Sequence, residues 1–347
     1  MKKAIISVIS TALMTFLVMS PSASHASSMD TVRVAASPAG NLNTFVNADV
    51  MAGGFGKPNR VYLLQQTSDL DTVYYVTASI SRKGSVNIVG RVNPKTGHPP
   101  VIAPSTAADN SSISQFFEPQ GNDTVSLKGL YFIGTRTDGS SVTGRLASPQ
   151  GDNNVFIADR CVIENISGDG TPNVFDTWNR DHNSFYITNC IFRNTHDDAI
   201  GSPGFAWVDP TPFPCDTAKF YNNTFFVFGG NVLGSSGFGC KYVDFQHNTV
   251  FGTNASVMNL PQMTNVTIKN NVFFNVFCAA IPLSWWGGSP GTWGTGVFPI
   301  GALTSAMLAD PYNFKEEDRR ITITNNAYCW TDEITENWIV IDALGIS

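Results

Sequence analysis

The chain has 347 residues, 42% of them hydrophobic and 14% charged, a composition that excludes intrinsic disorder and leaves room for a sizeable core. Its formal net charge of −6 excludes the basic footprint of a nucleic-acid-binding protein. The same charge opposes an acidic polymer unless cations or local basic residues intervene.

At the N-terminus, Lys2 and Lys3 precede an apolar run from Ala4 to Met19, and Ser24-His25-Ala26 offers small residues for cleavage. Residues 1–26 are therefore expected to be a secretory signal peptide, which directs the chain to the periplasm or the cell exterior. No later stretch reaches the roughly 20 apolar residues of a membrane span. Residues 27–84 read as an N-terminal segment and cap. Within it, the stretch from Asn41 to Ala52 carries Leu42, Phe45, Val46 and Val50 at helical spacing. This spacing predicts a short amphipathic helix that shields the open edge of a strand stack.

Residues 85–347 read as that stack. Val86-Asn-Ile-Val-Gly90 and Val125-Ser-Leu-Lys-Gly-Leu-Tyr-Phe132 are β-rich runs broken at a polar or glycine corner. A sharper motif follows: Ile187-Thr-Asn-Cys-Ile-Phe192, Tyr221-Asn-Asn-Thr-Phe-Phe226, Gln246-His-Asn-Thr-Val-Phe251, Lys269-Asn-Asn-Val-Phe-Phe274 and Thr324-Asn-Asn-Ala-Tyr-Cys329, with a weaker copy at Asp159-Arg-Cys-Val-Ile163. The copies recur at roughly 23 to 34 residues, then once at about twice that, the signature of stacked coils that cannot bury their apolar faces alone. Taking Arg160, Asn189, Asn223, Asn248, Asn271 and Asn326 as equivalent makes the asparagines an internal hydrogen-bonded ladder. Ile191, Phe225, Val250 and Phe273 then alternate between core and flank. The expected fold is an all-β, single-stranded, right-handed parallel β-helix with a short capping helix.

The cysteines follow the same register. Cys215 and Cys240 each lie eight residues before their marker asparagine, which favours a disulfide between neighbouring coils. Cys161 and Cys190 are divided evenly between a bridge and stacked buried thiols. None of the six forms a CxxC pair, which argues against a zinc ribbon.

Two insertions interrupt the coils, at 202–215 with Trp207 and at 278–319 with Trp285, Trp286 and Trp293. Tryptophans in loops on a rigid scaffold suit stacking on sugar faces, while the plainer reading is that they cover an apolar flank.

Together with the leader and the cap, the Asn59-Arg-Val-Tyr-Leu63 and Gly97-His-Pro-Pro-Val-Ile102 runs and the repeated Asn-Asn-x-Phe-Phe motif resemble secreted bacterial proteins of the pectate-lyase-like β-helix superfamily. The resemblance covers nearly the whole mature chain and implies a polysaccharide partner; the oligomeric state is open, a monomer being expected. The superfamily spans several activities, so fold alone does not give function.

The densest polar region runs from Asp176, Trp178, Arg180, Asp181 and His182 to His196, Asp197 and Asp198, about one coil later. One chemistry is inverting glycoside hydrolysis, in which one carboxylic acid protonates the leaving oxygen and another carboxylate activates water. Asp176 followed by the Asp197-Asp198 pair is similar to the polygalacturonase arrangement, although that family's Gly-His-Gly is missing here. A second chemistry is β-elimination on a uronate, with Arg180, His182 or Lys219 as base and calcium held by Asp181, Asp197 and Asp198. The plain structural reading is that these aspartates cap turns and the histidines sit at solvated corners. The expectation drawn is an exported enzyme cleaving an acidic polysaccharide by lyase or hydrolase chemistry, with a non-catalytic glycan-binding β-helix as the alternative.

Overall fold

The computed structural model describes residues 29–331 apart from 37–40, 67–71, 106–112, 137–143, 167–172, 178–179, 196–205, 209–214, 229–230, 236–239, 254–256, 259, 277–296, 299–300, 304 and 310–312. Residues 1–26, expected to be a signal peptide, lie outside the described residues. No described helix is long and apolar enough to cross a membrane.

The described strands form three all-parallel sheets of ten, nine and five strands. Among the described residues, five coils have a strand in each sheet and visit the three in turn. Val155–Asp159 lies in the first sheet, Val162–Glu164 in the second and Asn173–Asp176 in the third; Asn183–Thr188 then returns to the first sheet beside Val155–Asp159. The chain is therefore a parallel β-helix. Its stack reaches upstream of residue 85, because Asp30–Val34 pairs with Arg60–Gln65 and that strand pairs with Val86–Arg91. The long last interval is a single coil carrying an insertion, since Asn265–Lys269 pairs directly with Arg320–Thr324.

Alternation along the strands fills the interior. In the first sheet Phe156 and Phe185 are buried and stacked, 5.3 Å apart at 11°; in the second, Phe192 and Phe225 stack at 5.1 Å and 8°. Parallel in-register strands bring equivalent side chains within about 5 Å, so identical residues in successive coils form columns. Helix Asn41–Ala48 buries Leu42 and Val46 against the first coils, while Phe45 meets Tyr62 edge-on at 6.2 Å. Its polar side holds the turn that follows the strand Val73–Val76: Thr77 and Ser81 donate backbone N–H groups to Asn43 and Asn47.

The corner between the first and second sheets has two successive columns. Arg160, Asn189, Asn222, His247, Asn270 and Asn325 all have φ between 54° and 57°, as does Gly129 at 61°. Asparagine tolerates this left-handed conformation better than other side chains except glycine. A Cβ on the neighbouring Gly90 would lie 2.0 Å from the Gly129 carbonyl, so that position requires glycine. The next column is buried and contains Cys161, Cys190, Asn223, Asn248, Asn271 and the partly buried Asn326.

This corrects the expected alignment by one residue. Arg160 and Asn189 belong with Asn222, while the buried ladder position in those coils holds Cys161 and Cys190. The slip also moves Ile191, which is 41% exposed, out of the core column, where Phe192 stands. The thiols take the ladder's place: Cys161 N–H donates to Cys190 Sγ at 3.4 Å, and Cys190 N–H donates to Asn223 Oδ1 at 2.9 Å.

A second ladder runs along the other end of the first sheet. Asp123 N–H donates to Asn154 Oδ1 at 3.3 Å, and Asn154 N–H donates to Asn183 Oδ1 at 3.2 Å. At the next two coils the column changes chemistry. Cys215 and Cys240 are register partners joined by a disulfide, with Cα atoms 4.6 Å apart.

Candidate functional site

Asp176 ends its strand in the third sheet with only 3% of its surface exposed. Its Oδ2 lies 2.6 Å from Nε of Arg145, which belongs to the adjacent strand one coil earlier. The carboxylate is thus withdrawn from solvent and engaged by a guanidinium inside the wall. Arg180 forms the turn that follows, donating its N–H to Thr177 O at 3.0 Å and accepting Asn183 Nδ2 at its own carbonyl. Asp181 stacks on the preceding coil through its backbone, with N–H to Asp152 Oδ1 and carbonyl O accepting from Asn153.

His182 occupies a left-handed corner (φ 57°) in the same column as Asn122 and Asn153. Its Nδ1 lies 3.1 Å and 3.2 Å from the two Asp216 oxygens, and Lys241 Nζ approaches Asp216 Oδ1 at 3.6 Å. These three side chains, each a little over one-third exposed, line up across successive coils beside the disulfide. Asp216 reaches this position because the register shifts after Asn183, leaving it opposite no partner in the neighbouring strand.

Of the remaining expected residues, Trp178, His196, Asp197, Asp198, Trp285, Trp286 and Trp293 lie outside the described residues. Trp207 has its backbone in the strand Ala206–Val208, paired with Asp176, but its side chain lies outside them too. The ion pair seen at Asp176 among the described residues is with Arg145, which the sequence had not singled out. Among the described residues no group of three or more His, Cys, Asp or Glu side chains converges as a metal site would.

Lys219 is placed differently. It points outward from the middle of the first sheet, with Nζ 5.8 Å from the centroid of Tyr186, its register partner in the preceding coil. Tyr186, Tyr221 and Tyr242 are 36%, 47% and 55% exposed on this same face. Tyr221 also packs on His247 at 4.9 Å. A shallow cavity of about 300 Å³ is lined by Lys219, Tyr242, Asp244, Asn265, Thr267 and Arg320. Gln246 holds the Asp244 carboxylate through a 2.6 Å hydrogen bond.

The tyrosines, Asn265 and Arg320 were not singled out from the sequence, yet a signal was present. Tyr186, Lys219 and Asp244 share one column, each three residues before the corner positions Asn189, Asn222 and His247. Reading the outward alternation of the strands, rather than looking for carboxylate pairs, would have found them.

No protein-family model matches the chain, and no characterised protein matches it in sequence. The class of protein is thus defined by its architecture: a three-sheet parallel β-helix whose longest sheet presents tyrosines and cations on its outer face.

Proposed function

We propose that the protein is an exported carbohydrate-active β-helix that engages an acidic polysaccharide along the outer face of the first sheet. The observation that carries this reading is the row of exposed Tyr186, Tyr221 and Tyr242 interleaved with Lys219 and flanked by Arg320. A tyrosine offers an apolar body for a sugar ring and a hydroxyl for its polar edge. Lysine and arginine supply the local positive charge that an acidic polymer needs on a chain of net charge −6. The sheet is rigid, so these groups are held in place before a ligand arrives.

Cleavage by β-elimination fits the same cavity. For this step Lys219 first gives up its own proton to solvent; the neutral amine then removes the proton next to the uronate carboxylate, the bond to the 4-oxygen breaks, a carbon–carbon double bond forms, and the leaving oxygen takes up a proton. Arg320, which lines the same cavity, balances the carboxylate charge. Calcium remains part of the reading as a neutralising ion that Asp181, Asp197 and Asp198 would supply with hard oxygen ligands.

The test is incubation of the protein with pectate, alginate and glycosaminoglycans, with and without calcium, following unsaturated-product absorbance and reducing ends. An unsaturated product from one uronate polymer, lost in Lys219→Ala, is expected. Reducing ends without unsaturation would transfer the chemistry to a hydrolase. Binding without any product would make the protein a glycan-binding β-helix, and neither binding nor product would contradict the reading.

A further inference from the structure

The outer face of the second sheet carries a different kind of cavity, of about 470 Å³, lined by Glu164, Ile191, Arg193, Asn194, Thr224 and Phe226. It is an open, shallow depression on the sheet face rather than an enclosed pocket. Its floor comes from a column of outward phenylalanines. Phe226 stacks on Phe251 at 4.9 Å and 17°, and Phe251 stacks on Phe274 at 5.0 Å and 8°.

Each ring in this column covers the next, so the stack ends at Phe226. The face of Phe226 turned away from Phe251 looks toward the coil of Arg193, its register partner. There the aromatic column stops, because the guanidinium is drawn back one coil further: Arg193 Nη2 donates to Glu164 Oε2 at 2.7 Å and to Tyr131 Oη at 3.0 Å. Tyr131 Oη also donates to Glu164 Oε2. Arg193 Nε is buried with no hydrogen-bond acceptor among the described residues. Glu164 Oε1 has the Asn194 amide at 3.4 Å, a long contact that leaves this oxygen able to accept more strongly from another donor.

We infer that this cavity is a second saccharide site, selective for a neutral hexose that lays its apolar face on Phe226 and directs adjacent hydroxyls to Glu164, Asn194 and Thr224. Three features set the class. The terminal aromatic face suits a flat C–H surface. The fixed carboxylate and amide form a donor–acceptor pair of the kind that vicinal hydroxyls match. The charges of Glu164 and Arg193 cancel, so the cavity offers no net attraction to an anion, in contrast to the lysine-bearing face of the first sheet. This site stands independently of the polyuronide reading.

The experiment is calorimetric titration of the full chain with neutral gluco-, manno- and galacto-hexasaccharides at low and high salt, alongside sodium polygalacturonate. One neutral saccharide should bind with an affinity indifferent to salt, as an uncharged ligand requires. Phe226→Ala should weaken it at least tenfold. Asn194→Gly, which keeps the left-handed backbone of φ 52° while removing the amide, should also weaken it at least tenfold. Phe274→Ala, at the far end of the stack, should leave it unchanged, and none of the three should alter polygalacturonate binding. Absence of any neutral-saccharide binding, its persistence in Phe226→Ala, or an equal loss in Tyr242→Ala would each overturn the assignment.

Discussion

The side-chain oxygen of Asn248 accepts two hydrogen bonds from Asn223, one from the backbone N–H at 2.9 Å and one from Nδ2 at 3.0 Å. Asn248 in turn donates Nδ2 to Phe220 O at 3.0 Å and makes the same pair of bonds to Asn271. Each asparagine in this buried column thus satisfies the coil on either side of it. Asn248→Ala would orphan the buried backbone N–H of Asn223 and remove one hydrogen bond each from the Asn223 amide, which keeps its bond to Ile187 O, and from the Phe220 carbonyl. A loss of about 2–4 kcal/mol is expected, since each unsatisfied buried group costs roughly 1–3 kcal/mol and partial relaxation recovers some of it. Equilibrium denaturation of the variant checks this; a loss no larger than that of an exposed corner substitution such as Asn222→Gly would contradict the ladder.

The cysteines should separate into distinct reactivities. Cys161 and Cys190 are buried, and burial pushes the Cys190 thiol well above its ordinary value, with Cys161 beside it adding to the effect. Burial withdraws both sulfurs from reagents in the native state, and the raised pKa of Cys190 further disfavours its thiolate, the reactive form. Cys329 is exposed. Alkylation followed by peptide mapping without reductant should label Cys329 in the native protein, add Cys161 and Cys190 only on denaturation, and leave Cys215 and Cys240 unlabelled throughout. Native labelling of Cys190, or free Cys215, would be inconsistent with the fold described.

Acid sensitivity should centre partly on Asp49, which ties the capping helix to the first coil. Burial raises its pKa, but the Lys57 hydrogen bond, the Arg60 charge and the Tyr62 hydroxyl together outweigh this and hold it below the ordinary 3.8. A carboxyl depressed on folding contributes stability that is present above the unfolded value and is lost as pH falls through the folded one. Asp49→Asn should therefore lower the melting temperature at neutral pH, with the gap to wild type closing below about pH 4. A gap that stayed constant down to pH 2 would assign the effect to packing instead.

How far the sequence revealed this molecule depends on which force set each feature. The first two sheets were legible because the strands flanking the corner alternate cleanly and the corner needs a residue that accepts positive φ. The exact register was not, and the reason is visible at Asn222-Asn223 and Asn270-Asn271. In these pairs one asparagine serves the left-handed corner and the other the buried ladder, so a coil with a single asparagine, such as Thr188-Asn189-Cys190, can be aligned to either. The third sheet was not legible either. Its strands, such as Arg145–Ala147 and Asn173–Asp176, are three or four residues long and follow segments of variable length. For the same reason the partner of Asp176 was hidden: Arg145 is brought to it by coil stacking across a distance in sequence that no motif marks. The expected site was assembled from carboxylates near one another in the chain, whereas the outward column of Tyr186, Lys219 and Asp244 is assembled by the sheet.

The placement of an acidic glycan on that column is tested most directly by titrating sodium polygalacturonate into wild type, Tyr242→Ala and Lys219→Gln at two ionic strengths. Loss of the exposed ring in Tyr242→Ala should weaken binding at least tenfold at both salt concentrations, as removal of a stacking platform does. Lys219→Gln should weaken binding mainly at low salt and flatten its salt dependence, because one screened charge has been removed. Binding by both variants indistinguishable from wild type, or no polyuronide binding by wild type, would contradict the account.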